Sequence, residues 1–245
     1  MTPAIVEICF DYDEGKWFPV FCLDNNLPLG DPLTLIYSEG YDPYDVNQEG
    51  IIAIGGEINY QRLVESYSYG VFPWFAFRDE EPAVWYCPRH RYVIFPEKIH
   101  ISHSLRNTIN KCIYKVTFDI DFENVIKNCS RCKGRYEDSR AWLGDTIVET
   151  FIRLHESNHA HSVEVWEGDK LVGGLYGFVR NGVFQGESMF SLKKDAGKIA
   201  LVKLAEKMKT GNGKFIDCQF KTDFFESMGG EFIEYKKYRE IMDLK

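Results

Sequence analysis

The chain has 245 residues, of which 44% are hydrophobic and 27% charged, and it carries a net charge of −8. At about 100–200 residues per domain this is one large or two modest domains with a true apolar core, which excludes a disordered chain, a collagen and a disulfide-stapled miniprotein. Seven cysteines, an odd number spread from Cys9 to Cys218, point to reduced thiols rather than a disulfide framework.

The N-terminal stretch carries Glu7, Asp11, Asp13 and Glu14 with no base before Lys16, unlike the basic start of an export signal. Uncharged apolar runs such as Leu171–Val179 fall well short of the roughly 20 residues that cross a bilayer, so a cytoplasmic protein is expected. The acidic charge is uneven: residues 1–60 hold eleven acids and one base. Two later stretches are basic by five charges each, Cys87–Lys115 with Arg89, Arg91, Lys98, Arg106, Lys111 and Lys115, and Ser191–Lys214 with seven lysines. Such strips are either solvated faces or supports for a phosphate backbone.

Residues up to about Pro88 are punctuated by Pro, Gly and Asp, as in Leu27-Pro28-Leu29-Gly30-Asp31-Pro32, and read as a small, loop-rich unit over 1–87. It contains one clear helix, N-capped by Asn59, with Leu63, Val64 and Tyr67 on one face and Gly70 as its stop. From 88 to 245 regular elements alternate. The pattern predicts a strand over Ile113–Phe118, a helix over Asp121–Cys129, and a helix over Asp145–Ser157 capped by Asp145, with Ile147, Val148, Phe151 and Leu154 on one face. Three strands follow, Ser162–Trp166, Leu171–Val179 and Val183–Phe190, the last two joined through the hairpin signal Asn181-Gly182. A helix over Asp195–Lys209 presents Ile199, Val202, Ala205 and Met208. Then come a strand over Lys214–Phe220, a short helix at Asp223–Met228 stopped by Gly229-Gly230, and a closing strand and helix. Hairpins followed by a helix and a further strand indicate an α+β sheet domain.

In the strand Lys214–Phe220, alternation would put Asp217 and Gln219 on one face and Cys218 on the other. A carboxylate beside a carboxamide is either a structural hydrogen-bonded pair or a device for orienting an amine. Glu187 interrupts an apolar strand and needs an internal partner or a cationic ligand; Gly186 beside it permits close approach or marks a bulge. Ser188 lacks the Gly-x-Ser-x-Gly setting of a hydrolase nucleophile. Cys218 with His161 as base is disfavoured by the same alternation. Cys129 and Cys132 form a lone CxxC, which would need further ligands to hold zinc, and the histidines show no HExxH spacing, so no metal is assigned. Trp74, after a helix stop, and Trp142, before a helix, are placed either to stack on a base or to plug an interface.

Several segments together resemble the leucyl/phenylalanyl-tRNA-protein transferase family. They are Gly50-Ile51-Ile52-Ala53-Ile54-Gly55-Gly56, Tyr69–Phe75, Ala160–Trp166, Leu171–Gly177, Phe184–Ser191, Asp217-Cys218-Gln219 and Ser227-Met228-Gly229-Gly230, in the family's order over about 50–235. The resemblance implies a small N-terminal domain plus a larger acetyltransferase-like (GNAT-like) mixed-sheet domain. It implies an enzyme that moves leucine or phenylalanine from aminoacyl-tRNA to the α-amine of proteins beginning with Arg or Lys, marking them for N-end-rule degradation, as a monomer without a cofactor. By the resemblance, Asp217 and Gln219 are the catalytic pair and Glu187 meets the cationic acceptor. Leu175, Phe184, Met189 and Ile216 form the pocket for the transferred side chain, which discriminates methyl-scale differences by only about 1–3 kcal/mol and so would also admit methionine. Trp74, Trp142 and Phe151 lie around the terminal adenosine, and Arg89, Arg91, Lys98, Arg106 and Lys111 hold the acceptor stem. The chain departs from the family with Ala141-Trp142-Leu143 for Thr-Trp-Ile, Phe151 for tyrosine and Gly197 for serine, so one hydroxyl near the adenosine site is missing.

Two other classes share features with this sequence. A coenzyme-A-dependent N-acetyltransferase is favoured by the fold and opposed by Ser191-Leu192-Lys193-Lys194, which is not a glycine-rich pyrophosphate turn. A non-catalytic adaptor for tRNA ends or basic N-termini would have no use for the Asp217-Gln219 pair.

Overall fold

The computed structural model describes residues 5–11, 16–23, 50–74, 83–131 and 143–243, with the backbone alone for the first two of these stretches and for Ile51, Ala53, Ile54 and Trp74. Trp142, Ala141, Cys132 and the Leu27–Pro32 stretch lie outside the described residues. The chain divides into two compact units, residues 1–89 with 144–150, and residues 90–143 with 151–245.

The first unit holds a five-stranded sheet of β1 (Ile5–Asp11), β2 (Lys16–Leu23), β3 (Ile51–Gly55), β4 (Phe72–Trp74) and β5 (Val84–Tyr86), ordered β1-β2-β3-β5-β4. Between β3 and β4 lies helix α1 (Tyr60–Ser68), which begins where the Asn59 side chain accepts the Arg62 N–H at 3.0 Å. It ends at Ser68, two residues before Gly70, which at φ 72° holds a left-handed position that glycine takes without strain. Leu63, Tyr67 and Trp85 are fully buried, and the Trp85 indole donates to the Gly55 carbonyl. Gly50 has no substitute: a Cβ there would lie 2.7 Å from the backbone of Pro88.

The second unit is built on a seven-stranded sheet with strand order β12-β6-β11-β10-β9-β8-β7. Its strands are β6 (His90–Ile94), β7 (Lys115–Phe118), β8 (Ala160–Glu167), β9 (Lys170–Arg180), β10 (Val183–Ser191), β11 (Phe215–Asp217) and β12 (Glu231–Glu234). All neighbours are antiparallel except β10 and β11. Its helices are α2 (His103–Asn110), α3 (Phe122–Ser130), α5 (Ala196–Thr210), α6 (Asp223–Ser227) and α7 (Tyr235–Ile241), and helix α4 (Asp145–Glu156) belongs to the first unit up to Thr150 and to the second from Phe151. Asn181 and Gly182, at φ 50° and 79°, turn β9 into β10 as the dipeptide predicts.

Helices α5 and α3 cover opposite faces of the sheet, and adjacent glycines of β9 let them approach. A Cβ on Gly173 would lie 2.6 Å from Ala196 Cβ of α5, and one on Gly174 3.3 Å from Val125 of α3. The α5 stripe is as expected at Ile199, Val202 and Ala205, all buried. Several boundaries shift by one or two residues, β7 starting at Lys115 and β8 at Ala160; the larger differences are that Asp145 is the first residue of α4 rather than its cap, and that β11 stops at Asp217, three residues short of the predicted strand.

Candidate active site

The early end of β11 comes from Gln219, whose φ of 64° reverses the backbone. Phe220 N–H bonds back to the Cys218 carbonyl at 2.7 Å, closing a γ-turn centred on Gln219, a rare form for a positive φ. Alternation therefore does not relate Asp217 to Gln219. The two are linked instead by an Asx-turn, in which Gln219 N–H donates to Asp217 Oδ1 at 2.8 Å. The Gln219 side chain turns elsewhere and donates from Nε2 to Glu187 Oε1 at 3.1 Å.

Glu187 owes its place to a bulge. Gly186 pairs with Gly177 and Ser188 with Tyr176, so Glu187 is the extra residue on β10. A bulge resets the alternation after it. Phe184 and Met189 are five residues apart and would face opposite sides of a regular strand, yet Met189 pairs with Leu175 and Phe184 with Ile216 on the α5 side. The structure thus gathers all four side chains of the expected apolar pocket into or against one cluster; Leu175, Phe184 and Ile216 are buried in it and Met189 packs on it. A pocket of about 280 Å³ adjoins this cluster, lined by Phe184, Leu204, Met208 and Val163, with Asp119, His161 and Lys207 as its polar side chains. Of the four expected residues only Phe184 is among the described residues lining it.

Asp217 lies on the other face of the sheet, opposite Gln185 of β10. Its side chain is wholly buried and forms an ion pair with Arg91, whose Nε donates to Oδ1 at 3.3 Å and whose Nη2 donates to Oδ2. This corrects the expectation for Arg91: a guanidinium with no exposed surface, already on a carboxylate, cannot meet a phosphate of tRNA. The Arg91 guanidinium sits 4.8 Å from the centre of the Tyr238 ring, and Tyr238 Oη donates to Gln185 Oε1 at 3.2 Å. Gln185 and Tyr238 are not singled out by the sequence, and Arg91 is expected there on the acceptor stem and not on Asp217. The signal for Arg91 was present, a base opening the apolar run Tyr92-Val93-Ile94, by the same logic that singled out Glu187.

Phe151 also needs correction. It is fully buried against Tyr176, ring centroids 5.2 Å apart at 75°, on the same helical face as the buried Ile147 and Leu154, so its ring has no surface to offer an adenosine. Arg89, Lys98, Arg106 and Lys111 are exposed, Lys98 with its ammonium 2.9 Å from Glu231. Cys218 is buried, and that burial, together with the Asp217 charge, pushes its thiol well above the ordinary range, which leaves no thiolate for nucleophilic attack. Burial pushes Asp119 up, but hydrogen bonds from His161 and the Ser162 N–H, with the charges of His161 and Lys207, outweigh it and hold the carboxyl below its usual value. No cluster of metal-ligating side chains occurs among the described residues.

Residues 93–243 match the family described as Leucyl/phenylalanyl-tRNA protein transferase, and residues 56–89 match the N-terminal domain of that family. The chain belongs to this family. It is 43% identical over 196 residues to a leucyl/phenylalanyl-tRNA--protein transferase of Flavobacterium psychrophilum, covering 78% of this chain and 92% of the relative. A Legionella pneumophila protein of the same name is 37% identical over 211 residues, 85% of this chain and 93% of the relative. Among solved structures, a GCN5-related N-acetyltransferase-like protein of Streptococcus suis is 14% identical with a TM-score of 0.32, over 94% of this chain and 86% of that one. An aminoglycoside acetyltransferase from a soil metagenome is 14% identical with a TM-score of 0.33, over 53% and 88%. Similarity at that level adds nothing to the reading of the site.

Proposed function

We propose that this family member transfers leucine or phenylalanine from aminoacyl-tRNA to the α-amine of proteins that begin with Arg or Lys, and so marks them for degradation by the N-end rule. The observation that carries the proposal is the double tether of Gln219, its backbone on Asp217 and its side-chain amide on Glu187.

An aminoacyl ester is already activated, so the enzyme mainly has to place a neutral amine against the ester carbonyl carbon. An α-amine with an ordinary pKa of about 8 is partly neutral near pH 7, so a strong base is not required. With Nε2 spent on Glu187, Gln219 offers Oε1 to accept an N–H of the amine and aim its lone pair. Nitrogen attacks the carbonyl carbon, the bond from that carbon to the ribose oxygen breaks, and the amine proton passes, directly or through water, to that departing oxygen, which leaves as the ribose hydroxyl. Asp217 has no exposed oxygen and acts on the amine only through Gln219. A carboxylate accepts several hydrogen bonds, which lets Glu187 hold Gln219 and still meet the Arg or Lys side chain of the acceptor. The apolar cluster at Leu175, Phe184, Met189 and Ile216, with the pocket at Phe184, suits a leucyl or phenylalanyl side chain. The exposed Arg89, Lys98, Arg106 and Lys111 suit a phosphate backbone.

The test is to mix purified protein with leucyl- or phenylalanyl-tRNA and peptides beginning with Arg, Lys or Ala, and to follow peptide mass. Added leucine or phenylalanine on the Arg and Lys peptides, and none on Ala, is the expected result. No added mass with either charged tRNA, in folded protein, contradicts the proposal. Glu187→Gln should raise the apparent KM for the acceptor peptide; an unchanged value removes Glu187 from acceptor recognition.

A further inference from the structure

We infer that Arg91 is a positioning residue for aminoacyl transfer, acting on Gln219 through Asp217. The inference rests on the reading of Gln219 as the group that meets the amine.

The backbone at Gln219 is unfavourable. A non-glycine residue at φ 64° is strained and persists only when its surroundings hold it there. Three contacts hold Gln219: its N–H on Asp217 Oδ1 at 2.8 Å, the Tyr92 N–H on its carbonyl at 3.3 Å, and its side chain on Glu187. The first is charge-assisted and depends on where Asp217 Oδ1 points. That direction is set by Arg91. The guanidinium meets both carboxylate oxygens and, being planar, fixes the plane of the carboxylate as well as its distance. Arg91 is itself fixed, since it is wholly buried and lies over the Tyr238 ring. The chain of contacts therefore runs from α7 through β6 and β11 to the turn that carries Gln219 Oε1. An ammonium at position 91 would keep the charge and lose the two-point fork, so the carboxylate would be free to rotate and the turn to relax.

Arg91→Lys tests this. The account expects kcat to fall by about tenfold or more, with KM for both charged tRNA and acceptor peptide within about twofold of wild type, the pattern of a lost transition-state alignment rather than lost binding. In an Asp217→Asn background the same substitution should change kcat by less than about twofold, because the path through Asp217 is already broken. The Gln219 backbone amide resonance should move in the 15N spectrum of Arg91→Lys. A folded Arg91→Lys protein with wild-type kcat overturns the inference, and so does an equal loss in both backgrounds, which is what general loosening produces. If Arg91→Lys does not fold, Arg91→Met combined with Asp217→Asn removes both charges together. That protein should match Asp217→Asn alone, and a much slower one overturns the inference. Should Asp217→Asn and Gln219→Ala both keep wild-type rates, the catalytic reading fails, while the amide shift still decides whether Arg91 holds Gln219.

Discussion

The two faces of the seven-stranded sheet are built on opposite principles. On the α5 face, Leu175, Phe184 and Ile216 meet α5 in an apolar cluster whose contacts are many, individually weak and non-directional. On the other face, polar groups are buried among aromatics: Arg91 with Asp217, Gln185 with Tyr238, and Glu164, which accepts hydrogen bonds from Ser162 and Thr117. A substitution on the first face changes a volume by degrees. On the second it strands a partner, because a buried charge that loses its counterpart keeps its full desolvation cost. One face therefore suits graded selection among apolar side chains, and the other suits a single fixed geometry for Gln219.

The largest effect should come from splitting the buried pair. Arg91→Met leaves Asp217 uncompensated and should cost about 3–5 kcal/mol in chemical denaturation, whereas Ile216→Val on the α5 face should cost about 0.5–1.5 kcal/mol. Equal losses would erase the contrast between the faces. Next is Gly177→Ala. Its Cβ would fall 2.2 Å from the Gln185 carbonyl and 2.6 Å from the Phe184 ring, so strand β10 must shift beside the bulge, at a cost of about 1–3 kcal/mol. Transfer by that variant should slow more than its stability loss explains, since the bulge aims Glu187.

Smaller still is the effect of Asp119→Asn, read as a function of pH. Because the folded protein holds Asp119 below its ordinary value, its contribution is present above the unfolded-state pKa and is lost as pH falls through the folded one. Wild type should therefore be the more stable protein at neutral pH, and the gap should close in acid. A gap that is constant with pH would assign the effect to packing. The smallest test is chemical: the exposed Cys112 should alkylate in the native protein while Cys218 does so only on unfolding. Rapid modification of Cys218, which packs with Ile216 in the apolar cluster, would mean that the α5 face opens.

What the sequence made legible was local. Asn59 as a cap, Asn181-Gly182 as a hairpin and Ile199, Val202 and Ala205 as a helical stripe each depend on neighbours a few residues away. The proposed site residues Asp217, Gln219 and Glu187 stand out in the sequence by chemical oddity and by resemblance. Their arrangement was not. Arg91 reaches Asp217 across 126 positions of sequence, which no periodicity reports. The bulge at Glu187 moves Met189 to the face of Phe184, and the reversed backbone at Gln219 replaces strand alternation with a turn. Phe151 shows the converse: its place on the apolar stripe of α4 already pointed to the core, and the structure follows the stripe.

The most direct test of the account is the single-turnover transfer rate of Gln219→Ala with phenylalanyl-tRNA and an Arg-initiated peptide, beside its affinity for the charged tRNA. The account predicts a rate lower by about 100-fold or more, the scale of a lost proton-handling or positioning group, with tRNA affinity unchanged. A wild-type rate in the folded variant would contradict it and leave the tethered glutamine a purely structural turn.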